Sequence, residues 1–98
     1  MQKDKMMSLE EHIEIANDLA IATHHLWKIF NKCQQHYPKS GSLMKLLHKI
    51  CPGVLGGIFA KIQSELDSEY HKIINEKEFK KHGHIYYNLD KRYDKLKK

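Results

Sequence analysis

The sequence is poor in arginine and cysteine, and each scarcity argues against particular classes of protein. Among 98 residues, Arg92 is the single Arg beside sixteen Lys. Because the planar guanidinium group makes the bidentate contacts that recognise phosphates and bases, positive charge built from Lys is weak support for specific nucleic-acid recognition. The two cysteines, Cys33 and Cys51, form no CxxC pair. This excludes a disulfide framework and predicts reduced, buried thiols in a cytoplasmic protein.

Long apolar runs are also absent. The longest uncharged apolar stretch, residues 50–60, has eleven residues that include Pro52 and three Gly. Because crossing a bilayer takes about twenty apolar residues, we expect a soluble chain with no membrane span. With 41% hydrophobic and 30% charged residues, the composition is that of an ordinary globular protein. We expect one helical domain over residues 1–98, with residues 1–7 as a frayed lead-in.

The stretch from Ser8 to Tyr37 predicts one long helix. Ser8 and Glu11 have the spacing of a capping box at its start, and Pro38 begins a polar break after it. Its apolar residues form two neighbouring stripes at helical spacing. The first stripe contains Leu9, Ile13, Ala16, Ala20, Trp27, Phe30 and Tyr37, and the second contains Ile15, Leu19, Ala22, Leu26, Ile29 and Cys33. Together they make an apolar face that is wider than a single partner helix covers.

Shorter helices follow. Residues 43–50 predict a second helix with Ser42 as its cap, and residues 52–82 predict a long third helix that Gly83 ends. Residues 84–98 predict a basic tail with a short helix after Asn88. The sequence therefore predicts an all-α fold, a small antiparallel bundle of a long, a short, a long and a short C-terminal helix. On this arrangement Trp27 is expected to be mostly buried against the third helix.

The middle of the first helix suggests self-association. Around Leu19 and Ile21 the helix is apolar on every side, and Ile21 lies among polar positions. A segment that is apolar all round has to be covered all round, and a second copy packing around a two-fold axis would cover it. The interface of this expected homodimer consists of Leu19, Ile21, Ala22 and His25.

The basic tail suggests nucleic-acid binding as the alternative. Residues 78–98 carry a net charge of +4, and Lys residues there interleave with Tyr. Basic residues mixed with aromatic ones can follow a phosphate backbone and stack on bases. In the alternative interpretation, the Tyr residues only anchor the tail to the bundle and the Lys residues remain solvated. The residues expected to bind weakly to nucleic acid are Tyr87, Lys91, Arg92, Tyr93, Lys95, Lys97 and Lys98.

Catalytic and metal-binding patterns are weak despite the eight His. No two His are spaced three or four residues apart, and Asp67 with His71 has the spacing of an ordinary surface pair on a helix. His82 and His84 flank Gly83 and are expected to be solvated turn residues. We therefore expect no cofactor, no metal site and no catalytic residues. The expected function is that of a non-enzymatic module for protein–protein interaction or regulation.

Overall fold

The computed structural model describes residues 6–97 and is all-α over that range, which confirms the predicted fold class. Its first helix, α1, spans Leu9–His36. The hydroxyl of Ser8 accepts a hydrogen bond from the backbone of Glu11 at 3.2 Å, and the Glu11 carboxylate accepts one from the backbone of Ser8 at 2.8 Å. This capping box confirms the predicted start of the helix. Residues 1–5 of the expected lead-in lie outside the described residues, as does Lys98.

The second helix, α2, spans Ser42–His48 and is capped differently from the prediction. Ser42 lies inside the helix, and the carbonyl of Gly41 accepts the first hydrogen bond, from the backbone of Lys45 at 3.1 Å. No side chain caps this end. The short turn between α1 and α2 folds the chain back, so that α2 packs against the second half of α1.

The predicted third helix is wrong in its extent. A π-helical segment, Lys49–Ile58, precedes it, and Cys51 inside that segment has non-helical angles (φ −125°, ψ 108°) directly before Pro52. A residue before Pro is pushed away from the α-helical region, so the chain bends at this point. The regular helix α3 then spans Phe59–Ile73.

The third helix ends at Ile73, nine residues before its predicted end. A second capping box follows directly after it. Ile74 is extended, and the side chain of Asn75 accepts a hydrogen bond from the backbone of Glu78 at 2.8 Å, while Glu78 caps Asn75 in return. A separate helix α4, Glu76–His82, begins there and ends at Gly83, whose φ of +68° suits a residue without a Cβ. The last helix, α5, spans Leu89–Lys97.

Two separate apolar clusters hold these helices together at opposite ends of α1. The first cluster has Ala16, Tyr70, Ile85 and Tyr86 at its centre and joins α1, α3 and the segment before α5. The second cluster has Phe30, Met44 and Cys51 at its centre and joins α1, α2 and the π-helical segment. Ala20, in the middle of α1, is 1% exposed and belongs to neither cluster.

The molecule is flat, with principal extents of 50 × 38 × 18 Å. Its smallest extent is about the depth of two packed helices, so most helices have one covered side. In the part of the chain that the structure describes, eight apolar residues are buried, whereas twelve large hydrophobic residues are exposed. Exposed apolar patches mark interaction sites, so the surfaces that the fold leaves uncovered are the candidates for one.

Candidate functional site

One uncovered surface is formed by part of the second apolar stripe of α1. Ile15, Ala22 and Ile29 are exposed at intervals of seven residues, and 50% of Ile29 is accessible. Between them, Leu19 and Leu26 are half-buried because they pack against the first and second clusters, respectively. Cys33, predicted to be buried, is also half-buried at the end of the row because it lies at the edge of the second cluster. We call the exposed residues Ile15, Ala22 and Ile29 the outer stripe.

Charged residues beside the outer stripe are sorted by sign along α1. Glu11 and Asp18 are exposed near its first half, whereas His25, Lys32 and His36 are exposed near its second half. On a helix that turns 100° per residue, Glu11, Asp18 and His36 lie within about 40° of the stripe's middle, whereas His25 and Lys32 lie about 60° and 80° from it. The first half of this surface is therefore acidic, whereas Lys32 places a positive charge beside the second half.

The four residues of the predicted dimer interface do not share one environment. Leu19 packs against the first cluster, whereas Ile21, Ala22 and His25 are exposed. Ile21, which is 38% exposed, lies about 100° around the helix from Ala22. The structure therefore places Ala22 and His25 on or beside the outer stripe, with Ile21 on a neighbouring face.

Trp27 is exposed, which corrects the prediction that it is mostly buried. The indole is 37% accessible and lies edge-to-face against Phe30, with ring centroids 5.8 Å apart. The expected cover of Trp27 by the third helix is therefore incomplete. An open cleft of about 630 Å³ lies there instead, and its other lining residues are Thr23, His24, Asn31, Gln63, Asn88, Leu89, Asp90 and Lys91.

The basic tail is anchored to α1 by two of the residues predicted to bind nucleic acid. The guanidinium of Arg92 donates a hydrogen bond to the side-chain oxygen of Asn17 at 2.7 Å. Tyr93 stacks on His24, with ring centroids 3.8 Å apart and planes 13° apart, and the Lys97 ammonium lies 5.5 Å from the Tyr93 ring. The Tyr93 ring therefore stacks on a residue of α1, as expected for a residue that anchors the tail.

The other predicted tail residues remain accessible. Tyr87 is 44% exposed, and Lys91 and Lys95 are exposed. These three residues and Arg92 line a cleft of about 330 Å³ together with Asn17, His82, His84, Asn88 and Leu96. The structure thus brings four of the predicted tail residues into one basic cleft.

A buried polar group, which the sequence patterns did not reveal, links the tail to the start of α1. His12 is 1% exposed, and its Nδ1 lies 2.6 Å from the hydroxyl of Tyr86, which is 0% exposed. The His12 ring also lies edge-to-face against Tyr70, at 5.8 Å. Burial lowers the pKa of His12 against the opposing effect of Glu69, and burial, reinforced by Asp67, raises the pKa of Tyr86 to about 12. Both groups are therefore uncharged at neutral pH.

A second group of polar side chains gathers beside the first cluster. Potential ligand atoms of Asp67, His71 and His84 all lie within 4.8 Å of one another. The Nε2 atom of His71 is 3.5 Å from Oδ2 of Asp67, one turn earlier on α3. His84 follows Gly83, where the chain reverses after α4 and returns to α3. Spacing along the sequence pairs Asp67 with His71, but it could not show the return that brings His84 to them.

A run of three consecutive helical segments bears on the expectation of no membrane span. The stretch Ser42–Ile73 is long and apolar enough to cross a bilayer by length and composition alone, and 17% of its apolar window is buried. A single stretch of this kind is weak evidence, and the non-helical Cys51 interrupts it. The absence of a span remains a prediction.

Comparison with known proteins adds no analogy. No protein-family model, no curated protein and no solved structure matches this chain.

Proposed function

We propose that this protein is a non-enzymatic interaction module that pairs with a second copy of itself through the outer stripe. The observation that carries the proposal is the exposure of Ile15, Ala22 and Ile29 at seven-residue spacing on α1. A seven-residue apolar repeat is the pattern by which two helices pack along their length. The half-buried Leu19 and Leu26 complete the alternating three- and four-residue spacing of such a seam.

The position of the small residue favours a two-fold axis near Ala22. Ile15 and Ile29 lie equally far from Ala22, seven residues on either side. In an antiparallel pair, Ile15 of one copy therefore faces Ile29 of the other, and the small side chain of Ala22 lets the two helices approach closely at the axis. The same patch is then buried on both copies, as a two-fold dimer requires.

The charges beside the outer stripe also favour the antiparallel orientation. Around the same axis, Asp18 of one copy faces His25 of the other, and Glu11 faces Lys32. A parallel pair would instead place this flank of each copy on opposite sides of the seam, where Glu11 and Lys32 do not meet. Because opposite charges meet only in the antiparallel arrangement, the charge order favours the antiparallel pair.

Ile29→Lys is expected to convert the dimer into a folded monomer. The side chain is half exposed in the single chain, so the substitution leaves both apolar clusters intact. It removes apolar burial twice per dimer, about 2–3 kcal/mol, which raises the dissociation constant about 30- to 150-fold. Sedimentation equilibrium over a range of concentrations measures the constant, and far-UV circular dichroism checks the helices.

Leu46→Lys is the matched control. Leu46 on α2 is 59% exposed and lies outside the outer stripe, so this variant is expected to dimerise like the wild type. Wild-type protein that stays monomeric at high micromolar concentration contradicts the proposal. Dissociation by Leu46→Lys but not by Ile29→Lys also contradicts it, because the interface would then lie on α2.

Cysteine cross-linking tests the orientation. In the antiparallel pair the two Ala22 positions meet at the axis, whereas the two Cys33 thiols are about 33 Å apart along the helices, at 1.5 Å per residue. Ala22→Cys in a Cys33→Ser background is therefore expected to form a disulfide-linked dimer on mild oxidation, and the wild type is not. Rapid cross-linking through Cys33 would indicate a parallel pair.

We place this module in the cytoplasm. Both cysteines are free, and Cys51 is 1% exposed within the second cluster. Burial raises the pKa of the Cys51 thiol, which keeps it protonated and unreactive. Free thiols of this kind suit a reducing compartment.

The basic cleft of the tail supports nucleic-acid binding as a second candidate function. Lys91 and Lys95 are exposed at its edge, and the accessible ring of Tyr87 is available for stacking on a base. Arg92 lies in the same cleft but is already hydrogen-bonded to Asn17. The cleft thus offers two or three cations to a phosphate backbone.

Binding of single-stranded RNA or DNA by this cleft is expected to depend on salt. Two or three phosphate contacts predict a loss of about 7- to 18-fold in affinity between 50 and 200 mM salt. The double substitution Lys91→Glu and Lys95→Glu is expected to abolish retention, whereas Lys61→Glu with Lys77→Glu, an equal change of charge elsewhere, is expected to weaken it only slightly. Fluorescence anisotropy with a labelled oligonucleotide, in the presence of a chelator, measures the affinity of each variant for the oligonucleotide. Equal losses in both double variants would exclude a defined site.

A further inference from the structure

We propose that Asp67, His71 and His84 form a binding site for a divalent transition-metal ion of the zinc type. Two imidazoles and one carboxylate are a common ligand set for such ions, and a catalytic-type site with three protein ligands leaves one position for water. The proposal concerns a different surface from the outer stripe and does not depend on dimer formation.

The distances are close to those that a metal requires. Ligands 2.0–2.1 Å from a tetrahedral ion lie about 3.3 Å from one another. The Nε2 of His71 and the Oδ2 of Asp67 are already 3.5 Å apart, and a nitrogen of His84 lies within 4.8 Å of both ligand atoms. Moving the His84 nitrogen by at most about 1.5 Å toward the other two ligand atoms would complete the arrangement.

The carboxylate of Asp67 gives independent support. Its side chain is only 15% exposed, and among the described residues no group donates a hydrogen bond to its buried Oδ1. A buried carboxylate oxygen without a partner is costly, and a bound cation would compensate it directly. Asp67 contacts His71 through Oδ2, and this contact leaves Oδ1 without a hydrogen-bond partner among the described residues.

The backbone around His84 is fixed on both sides. The hydroxyl of Tyr70 donates a hydrogen bond to the carbonyl of Gly83 at 2.7 Å, and the side-chain amide of Gln63 donates one to the carbonyl of Tyr86. Ile85, which follows His84, is 1% exposed. Because α3 supplies Tyr70 and Gln63 as well as Asp67 and His71, the same helix positions all three ligands.

Solvent can reach the site, because the His71 side chain is 42% exposed. An ion can therefore enter without opening the first cluster. Its fourth ligand would be water or a group from a bound partner molecule.

Titration of the full-length, chelator-treated protein with Zn²⁺, followed by calorimetry, tests the proposal. We expect one site per chain. Removing a group that only hydrogen-bonds to a metal ligand lowers metal affinity about 10- to 100-fold. Removing a ligand itself, in His84→Asn or Asp67→Asn, is therefore expected to lower Zn²⁺ affinity at least about 100-fold. His71→Asn, at an exposed position, is expected to do the same without affecting the fold. His82→Asn and His36→Asn are the controls and are expected to bind like the wild type.

Co²⁺ provides a second readout, since its visible absorption reports the ligand set. The expected spectrum is that of a nitrogen- and oxygen-ligated ion without a thiolate-to-metal band, because neither cysteine takes part. A thiolate band, or an affinity that His84→Asn and His71→Asn leave unchanged, would overturn the proposal. Equal weakening by His82→Asn and His84→Asn would also overturn it, since binding would then be general to surface histidines.

Discussion

Tyr86→Ala is expected to lower the free energy of unfolding by about 3–5 kcal/mol, a large part of the total for a domain of this size. The side chain is 0% exposed and lies edge-to-face against Tyr70 and His12, with ring centroids 6.1 and 5.8 Å away. Its removal leaves a cavity in the first cluster and an unpartnered His12. Urea denaturation followed by circular dichroism measures the loss.

Two further variants separate the contributions of the Tyr86 ring and hydroxyl. Tyr86→Phe keeps the packing but leaves Nδ1 of the buried His12 without its partner, and is expected to cost about 1–3 kcal/mol. The neighbouring Tyr87 is 44% exposed, so Tyr87→Phe is expected to change stability by at most about 0.5 kcal/mol. A cost for Tyr86→Ala as small as that of Tyr87→Phe would show that the tail does not hold the first cluster.

Met44→Ala is expected to cost about 2–5 kcal/mol at the opposite end of the molecule. Met44 is 0% exposed in the second cluster, between Phe30 and Cys51. Trp27 contacts Phe30, so its fluorescence reports this cluster during urea denaturation. Leu46→Ala, two residues along the same helix and 59% exposed, is the control and is expected to cost less than about 1 kcal/mol. Equal costs for the two variants would place Met44 outside the core.

The extent of the first helix followed from local signals alone. The capping box at Ser8, the continuous apolar spacing and Pro38 all act within a few residues, and α1 begins and ends as predicted. The break between α3 and α4 also had a local signal, the Asn75–Glu78 capping box. The apolar residues before and after this box continue at helical spacing and so favour one uninterrupted helix, although Ile74 is extended.

The contacts that form the candidate sites could not be read from spacing. His12 pairs with Tyr86, 74 residues later, and His84 returns to α3 only because the chain reverses at Gly83. A partial signal existed for His12, which lies one turn before the buried Ala16 and shares its helix face. The bend before Pro52 and the exposure of Trp27 are two further features that no helical period predicts.

The pairing of α1 with the tail has a consequence for synthesis on the ribosome. His12 is made 74 residues before Tyr86, and at about 5–20 residues per second this separates them by about 4–15 s. During this interval the first half of α1 has emerged, but the residues that bury its inner face have not been translated. The second cluster, whose members lie between Leu26 and Leu55, can assemble first. We therefore expect the chain to fold from the middle of its sequence outward, and the N-terminal half of α1 to be the last part that gains its partners.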